Sequence, residues 1–299
     1  MKIKAIALDL DGTLLTSDKK ISDINKEVLK YLENKGVKIF IVTGRTYISA
    51  KPFAQELGID SSIIAYNGAK VVNYKNDELI FNLPLEEKYS KKIIKMAKEK
   101  GFHVNLYQNN KWVVEELDND ETRHYANHTG LTPVKKSFDS FDDYSMTKIT
   151  IQNMENSKEF NEFCDEIKDV LGNDVYTAKS QSFLFEVLNK NVNKGLVLEK
   201  VLKSYGISTE ECVAFGDANN DLEMLTTVKY GVAMGNSDIE LKRQVNYVTD
   251  TNDNNGVAKF LKKYFFWHIF EFMIKFINIK IKILKFSTGY QPVYFKYGG

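Results

Sequence analysis

The stretch IALDLDGTLL, residues 6–15, drives an apolar strand into two acids placed one residue apart. Side chains alternate along a strand, so Asp9 and Asp11 leave on the same side, where two carboxylates repel unless something cationic sits between them. A buried strand must therefore end at a charged edge that asks for a metal. Taken alone, Asp-x-Asp-Gly also reads as an ordinary turn, or as a calcium loop. An EF-hand needs Gly at its sixth position and Glu at its twelfth, whereas Gly12 stands fourth, and that option falls away.

The next segments repeat the pattern. Ser22 is placed to cap a helix whose Ile24, Val28, Leu29, Tyr31 and Leu32 recur at helical spacing, and Gly36 stops it. VKIFIVTGR (37–45) is a nearly continuous apolar run, as expected of a parallel strand covered on both faces, and it ends in Thr43, Gly44 and Arg45. A helix ending at Gly58 and a third run, SIIAYNGA (62–69), come next. Strands and helices alternating at this spacing predict an α/β fold with a doubly wound, Rossmann-like parallel sheet, which binds ligands beyond the carboxyl ends of its strands.

From about Leu83 the texture changes. A Lys-rich helix (86–100) precedes FHVNLYQ and KWVVEEL, joined at Asn109 and Asn110 in a hairpin-like turn. TKITIQ (147–152) alternates polar with apolar residues, which predicts an antiparallel sheet with one wet face. The parallel texture returns in ECVAFGDANND, YGVAMG and NYVTD. The reading is an α+β module at 83–189 inserted into a core made of 1–82 and 190–264, with a C-terminal tail at 265–299.

Forty-one basic against 40 acidic side chains leave a net charge of +1, which argues against a general nucleic-acid binder and for a small-molecule partner. Cys164 and Cys212 each lie in an apolar setting and read as buried reduced thiols, in keeping with a cytoplasmic protein. The N-terminal apolar run is too short, and its acid pair too early, for a signal peptide. Oligomeric state is not legible.

Three further polar clusters end elements of the same predicted sheet: TGR at 43–45, NKG at 193–195 and GDANND at 216–221. Singly these read as a helix start, a solvated lysine and an Asx-rich turn. Together, and in this order after DLDGT (9–13), they resemble the haloacid dehalogenase superfamily, and within it the Cof-type (cap class IIB) phosphatases with a large cap between the second and third motifs. YNGA at 66–69 is similar to that subgroup, and the resemblance runs from about residue 3 to 264.

The resemblance implies a magnesium-dependent phosphatase acting on small phosphomonoesters. A phosphomonoester is dianionic, so a carboxylate attacks its phosphorus only where cations and donors neutralise charge, and magnesium suits oxygen ligands. Asp9 is then nucleophile and metal ligand. Asp11 is the acid/base residue, its backbone carbonyl on the metal; Asp217 is the main opposing ligand, with Asp221 in support. The Thr43 hydroxyl, the Gly44 amide at a helix N-terminus, the Leu10 amide, Lys194 and Asn220 hold the phosphate, and Arg45 and Asn67 are supporting candidates. Asp11 also separates the chain from P-type ion pumps, which carry Thr there and need several apolar spans of about 20 residues. Phosphoryl transfer to a sugar, as in a mutase, and a phosphate-binding regulator without turnover are the alternatives.

Other constellations weigh less. His124 and His128 are four apart, but Tyr125 stands where a zinc protease helix carries Glu. Phe102, Tyr107, Trp112, Phe183 and Phe185 read as core, with some lining the underside of the module. The tail has a mostly apolar run at 265–286 interrupted by Glu271, Lys275, Lys280, Lys282 and Lys285, which argues against a spanning helix and leaves interfacial binding, an extra strand or a sequence altered late in the reading frame open; it falls outside the family pattern and is expected to be dispensable for catalysis.

Overall fold

The structure is a computed structural model that describes residues 3–266. The tail reading for 265–299 therefore lies almost wholly outside the described residues. In chain order the first part comprises β1 (Ala5–Leu8), α1 (Asp23–Asn34), β2 (Lys38–Val42), α2 (Tyr47–Leu57), β3 (Ser62–Ala65), β4 (Lys70–Asn73) and β5 (Glu78–Asn82). Next come α3 (Glu87–Lys100), β6 (His103–Gln108), β7 (Lys111–Val114), α4 (Asp120–Thr129), β8 (Val134–Lys135), β9 (Lys148–Gln152), α5 (Lys158–Leu171), β10 (Val175–Gln181) and β11 (Leu184–Asn189). The chain then runs through α6 (Lys194–Ser204), β12 (Cys212–Gly216), α7 (Leu222–Thr227), β13 (Tyr230–Ala233), α8 (Ile239–Arg243), β14 (Tyr247–Val248) and α9 (Gly256–Leu261).

The first sheet has the order β14-β13-β12-β1-β2-β3-β4-β5. Its strands from β14 to β3 are parallel, and β1, at the centre, is wholly buried. Covering helices on both faces explain why these strands read as unbroken apolar runs. Ser22 caps α1 by accepting the amide of Asn25, and α2 ends on Gly58 in the left-handed region, as the sequence signals predict.

One edge departs from the expected all-parallel sheet: β3, β4 and β5 pair antiparallel, so a hairpin closes it. Its turn holds Asp77 at φ 56, tied to Lys51 at 2.7 Å. The sequence pattern gives no sign of it because β5 is largely exposed and neither alternates nor forms a buried run.

The inserted module is a second sheet, β10-β11-β9-β6-β7-β8, backed by α3 and α5. β6 and β7 are joined at Asn109 (φ 51) and Asn110 (φ 62), the positive-φ pair that a tight hairpin turn requires. The antiparallel expectation for TKITIQ holds, since β9 pairs antiparallel with both β6 and β11. The wet face does not. Lys148, Thr150 and Gln152 are buried, with Asn105 and Glu186 beside them: Lys148 and Glu186 find partners on the core, at the Gly44 carbonyl and Asn67, while Gln152 pairs with Asn105 and the Glu121 carbonyl inside the module. The two connections between the sheets run together: the Asn189 side-chain Nδ2 donates to the Pro84 carbonyl at 2.8 Å.

Both cysteines are buried and unpaired. Among the described residues no helix is long and apolar enough to cross a membrane.

Candidate active site

β1 stops at Leu8, and the chain turns through Leu10–Leu14, with Asp11 extended and Gly12 at φ +73. A Cβ on Gly12 would lie 2.3 Å from an Asp217 carboxylate oxygen, so the turn requires glycine both for its conformation and for this approach. Thr13 Oγ1 donates to Asp217 Oδ1 at 2.9 Å, fixing the carboxylate that the missing side chain admits. Asp217 and Asp221 arrive on the loop after β12, the strand next to β1.

Asp9, Asp217 and Asp221 each offer an oxygen within 4.8 Å of the others. Lys194, the first residue of α6, lies among them, its Nζ donating to Asp9 Oδ1 at 2.8 Å and to Asp221 Oδ1 at 2.6 Å. Asp221 Oδ2 accepts the amides of Asp217 and Ala218 at 3.0 and 3.1 Å, so this acid organises the loop as well as the lysine. Burial pushes the Asp9 carboxyl well above the usual carboxylate range; Lys194 opposes the shift and the neighbouring acids Asp221 and Asp217 add to it. Burial, then the Asp221 charge, pushes Asp217 up to about 7. Lys194 goes the other way: burial would discharge it, but Asp221 and Asp9 hold it firmly protonated.

Three carboxylates against one ammonium leave an uncompensated negative charge in a buried, all-oxygen pocket. That donor set fits a hard divalent cation such as magnesium. The Asp11 side chain is not part of it. Its carboxylate takes a two-pronged grip from Arg45, Nε to Oδ2 at 2.6 Å and Nη2 to Oδ1 at 2.7 Å, while Lys19 Nζ reaches Oδ1 at 2.7 Å. Burial would raise the Asp11 carboxyl, but Arg45 and then Lys19 outweigh it and hold it well below its ordinary range. The cation that the acid pair demands is thus a different one for each acid.

The remaining sequence-predicted residues gather at the same edge. Thr43 Oγ1 accepts the Arg45 amide at 3.1 Å, and Asn220 Nδ2 donates to Asn67 Oδ1 at 3.1 Å. The Leu10 amide lies in the Asp9 turn. One expectation is corrected: Gly44 is not at a helix N-terminus. α2 starts at Tyr47, with Thr46 as its cap accepting the Ser49 amide, and Gly44 lies in the preceding turn. Its lack of a side chain still matters, since a Cβ there would stand 3.0 Å from Asn67 Oδ1.

A cavity of about 330 Å³ opens over this edge, lined on the core side by Asp9, Asp11, Arg45 and Asp217 and on the module side by Tyr125, Lys148, Gln181 and Glu186. Sequence reasoning missed the module's contribution, together with Lys19 and Thr13. A signal existed in Glu186, a lone acid inside the apolar run FLFEVL. His124 packs edge-on to Phe183 at 5.5 Å, and among the described residues the metal-type grouping is the aspartate one alone. Phe102 sits against Phe160 and Phe163 in the module's core, where Phe185 is also buried. Tyr107 and Trp112 are buried on the underside, against Tyr66 and Tyr125.

Known proteins resemble this chain over most of its length. In Bacillus subtilis, the 5-amino-6-(5-phospho-D-ribitylamino)uracil phosphatase YitU is 31% identical over 273 residues, spanning 87% of this chain and 97% of that protein. A second protein of that activity name from the same organism, YcsE, is 30% identical over 261 residues, spanning 87% and 95%. Among solved structures, a haloacid dehalogenase-like hydrolase from Bacteroides thetaiotaomicron superposes with a TM-score of 0.80 at 27% identity, covering 88% of this chain and 100% of that one. The family profile of haloacid dehalogenase-like hydrolases matches residues 6–261, nearly the whole described chain, and the protein belongs to that family.

Proposed function

We propose that the protein is a magnesium-dependent phosphatase that hydrolyses small phosphomonoesters through an aspartyl-phosphate on Asp9. Residues 1–82 and 190–264 form the catalytic core, and 83–189 act as the cap that covers the substrate and selects its organic part. The observation that carries this reading is the meeting of Asp9, Lys194, Asp217 and Asp221 from distant parts of the chain, at one strand edge beneath a covered cavity. The activity names of the two Bacillus relatives support it.

In this reading Asp9 attacks phosphorus and the ester oxygen leaves with a proton from Asp11. Water then attacks the aspartyl-phosphate, giving its proton back to Asp11 and releasing inorganic phosphate and the free Asp9 carboxylate. Asp9, Asp217 and the Asp11 backbone carbonyl, with Asp221 behind, would hold magnesium, which would supply the positive charge that two approaching anions need. Thr43, the Leu10 and Gly44 amides, Lys194 and Asn220 hold the phosphoryl oxygens, supported by Arg45 and Asn67. Asp11 is bound as a carboxylate by Arg45, so it becomes an acid only once the guanidinium lets go; an arriving phosphate dianion is the natural competitor for it.

Release of p-nitrophenol from p-nitrophenyl phosphate tests the proposal. Turnover should require magnesium and vanish with chelator. Because metal binds the ionised carboxylates, protons compete as pH falls through about 7, the Asp217 value, so the half-saturating magnesium concentration should rise between pH 8 and pH 6. No turnover at any magnesium concentration would favour a binding protein, and interconversion of sugar phosphates without phosphate release would favour a mutase.

Arg45→Gln tests the acid. Removing the guanidinium raises the Asp11 carboxyl from its depressed position, so the limb of kcat/KM on which activity falls as Asp11 loses its proton should move to higher pH. A limb that stays in place would assign it to another group.

A further inference from the structure

The cap presents a buried charge pair to the core. Lys148 stands on β9 and Glu186 on the neighbouring β11, and Lys148 Nζ donates to Glu186 Oε1 at 2.6 Å with both side chains 2–3% exposed. Neither charge is spent within the cap alone. Lys148 Nζ also crosses to the core and donates to the Gly44 carbonyl oxygen at 2.9 Å. Glu186 Oε2 accepts from Asn67 Nδ2, and Asn67 Oδ1 in turn accepts from Asn220 Nδ2. Two cap side chains thereby reach three core segments, the turn at 43–45, the turn at 66–68 and the loop at 219–221.

The contact at Gly44 is the informative one. Its carbonyl belongs to the peptide whose N–H is that of Arg45, which donates to Thr43 Oγ1. Fixing that carbonyl fixes the plane of the turn, and with it the directions of the Thr43 hydroxyl, the Gly44 amide and the Arg45 side chain. A buried ion pair is a poor device for stability, since desolvation offsets its attraction and an apolar pair of similar volume does as well. What an apolar pair cannot supply is a donor to the Gly44 carbonyl and an acceptor for Asn67.

We propose that Lys148 and Glu186 are positioning residues that set the geometry of the phosphate-holding loops only while the cap sheet is seated on the core, so that the site is complete in the closed state alone. This inference rests on the phosphatase reading for its kinetic consequence, and on the hydrogen bonds from cap to core for its structural one.

The test is the double variant Lys148→Met/Glu186→Gln, which removes both charges together and leaves no unpaired ion buried. Its melting temperature should stay within a few degrees of the wild type. With p-nitrophenyl phosphate and magnesium, kcat/KM should fall by about 100-fold, the size expected when reacting groups lose their alignment, and kcat should fall as well as KM rise. Amide hydrogen exchange in peptides covering 43–46 should quicken, while that of 38–42 in the strand before it does not. A folded double variant with wild-type kcat/KM, or one whose 43–46 exchange is unchanged, overturns the proposal. If the double variant does not fold, Glu186→Gln alone takes its place: lower kcat/KM with faster 43–46 exchange supports the positioning role, and wild-type values of either overturn it. A wild-type protein without phosphatase activity sinks the functional reading, but the exchange measurement still decides the positioning role.

Discussion

Asp9→Asn should lose hydrolysis of p-nitrophenyl phosphate by at least about 10⁴-fold, because an amide oxygen cannot form the covalent intermediate and no neighbour stands in for it. The loss should come without loss of fold. Asp9 is one of three acids gathered within 4.8 Å, and its carboxyl is raised by burial and by Asp221 and Asp217, so neutralising it relieves repulsion while Lys194 keeps its bond to Asp221. The same shift fixes the sign of the pH effect. A raised carboxyl binds a proton in the folded state that the unfolded chain has already released, so its contribution is present at low pH and disappears as pH rises through the folded value. Metal-free wild type should therefore lose stability as pH climbs through about 7, where Asp217 titrates, and Asp9→Asn should lack the part of the pH dependence that the raised Asp9 carboxyl adds. Thermal melts in chelator from pH 5 to pH 8 check this beside the activity assay. Residual turnover above about 1% of wild type would mean that Asp9 is not the attacking group.

The parts of the molecule that the sequence made legible share a physical cause. β1, β2 and β12 are covered on both faces, so they read as apolar runs, and the polar residues that end them could only lie at the carboxyl edge of one sheet. Asp9, Thr43 and Asp217 were reachable for that reason; Lys194 opens α6 after β11 of the second sheet and was reached only through the NKG cluster. The hairpin β4–β5 was not, because an exposed edge strand has no burial to impose a period. Alternation in β9 predicted its pairing but not its surroundings: Lys148, Thr150 and Gln152 read as water-facing, yet they are buried, and Lys148 lies against polar groups of a distant segment. A one-dimensional pattern distinguishes polar from apolar faces; it does not distinguish a solvated polar face from one satisfied by partners 104 residues away, as Lys148 is by Gly44. The same blindness hid how Asp11 is held. Spacing placed two acids side by side, but only the fold brings Arg45 and Lys19 to one and Lys194 to the other.

Lys194→Met should be the most destabilising substitution at the site. The lysine is 1% exposed and donates to two carboxylates, one of them fully buried, so its removal leaves Asp9 and Asp221 facing each other without a counter-charge. Breaking a buried charge cluster from one side costs about 3–5 kcal/mol. For a chain of this size that lowers the melting temperature by about 10 °C, taking about 2–4 °C per kcal/mol. Magnesium should return part of the loss, since a cation bound among the same oxygens takes over some of the neutralisation and stabilises the state that binds it. Lys194→Met/Asp221→Asn should also recover stability relative to the single variant, because the second change removes a charge that the first left stranded; the two sites are in contact, so their effects must not add. Activity separates from stability here. The double variant still lacks the ammonium beside Asp9, the proposed nucleophile, and kcat should remain down by about 10²–10³-fold, the range for losing one preorganised charge-stabilising donor. If the double variant regained activity along with stability, Lys194 would serve only to hold Asp221, and the positive charge for the phosphoryl group would have to come from Arg45 or the metal.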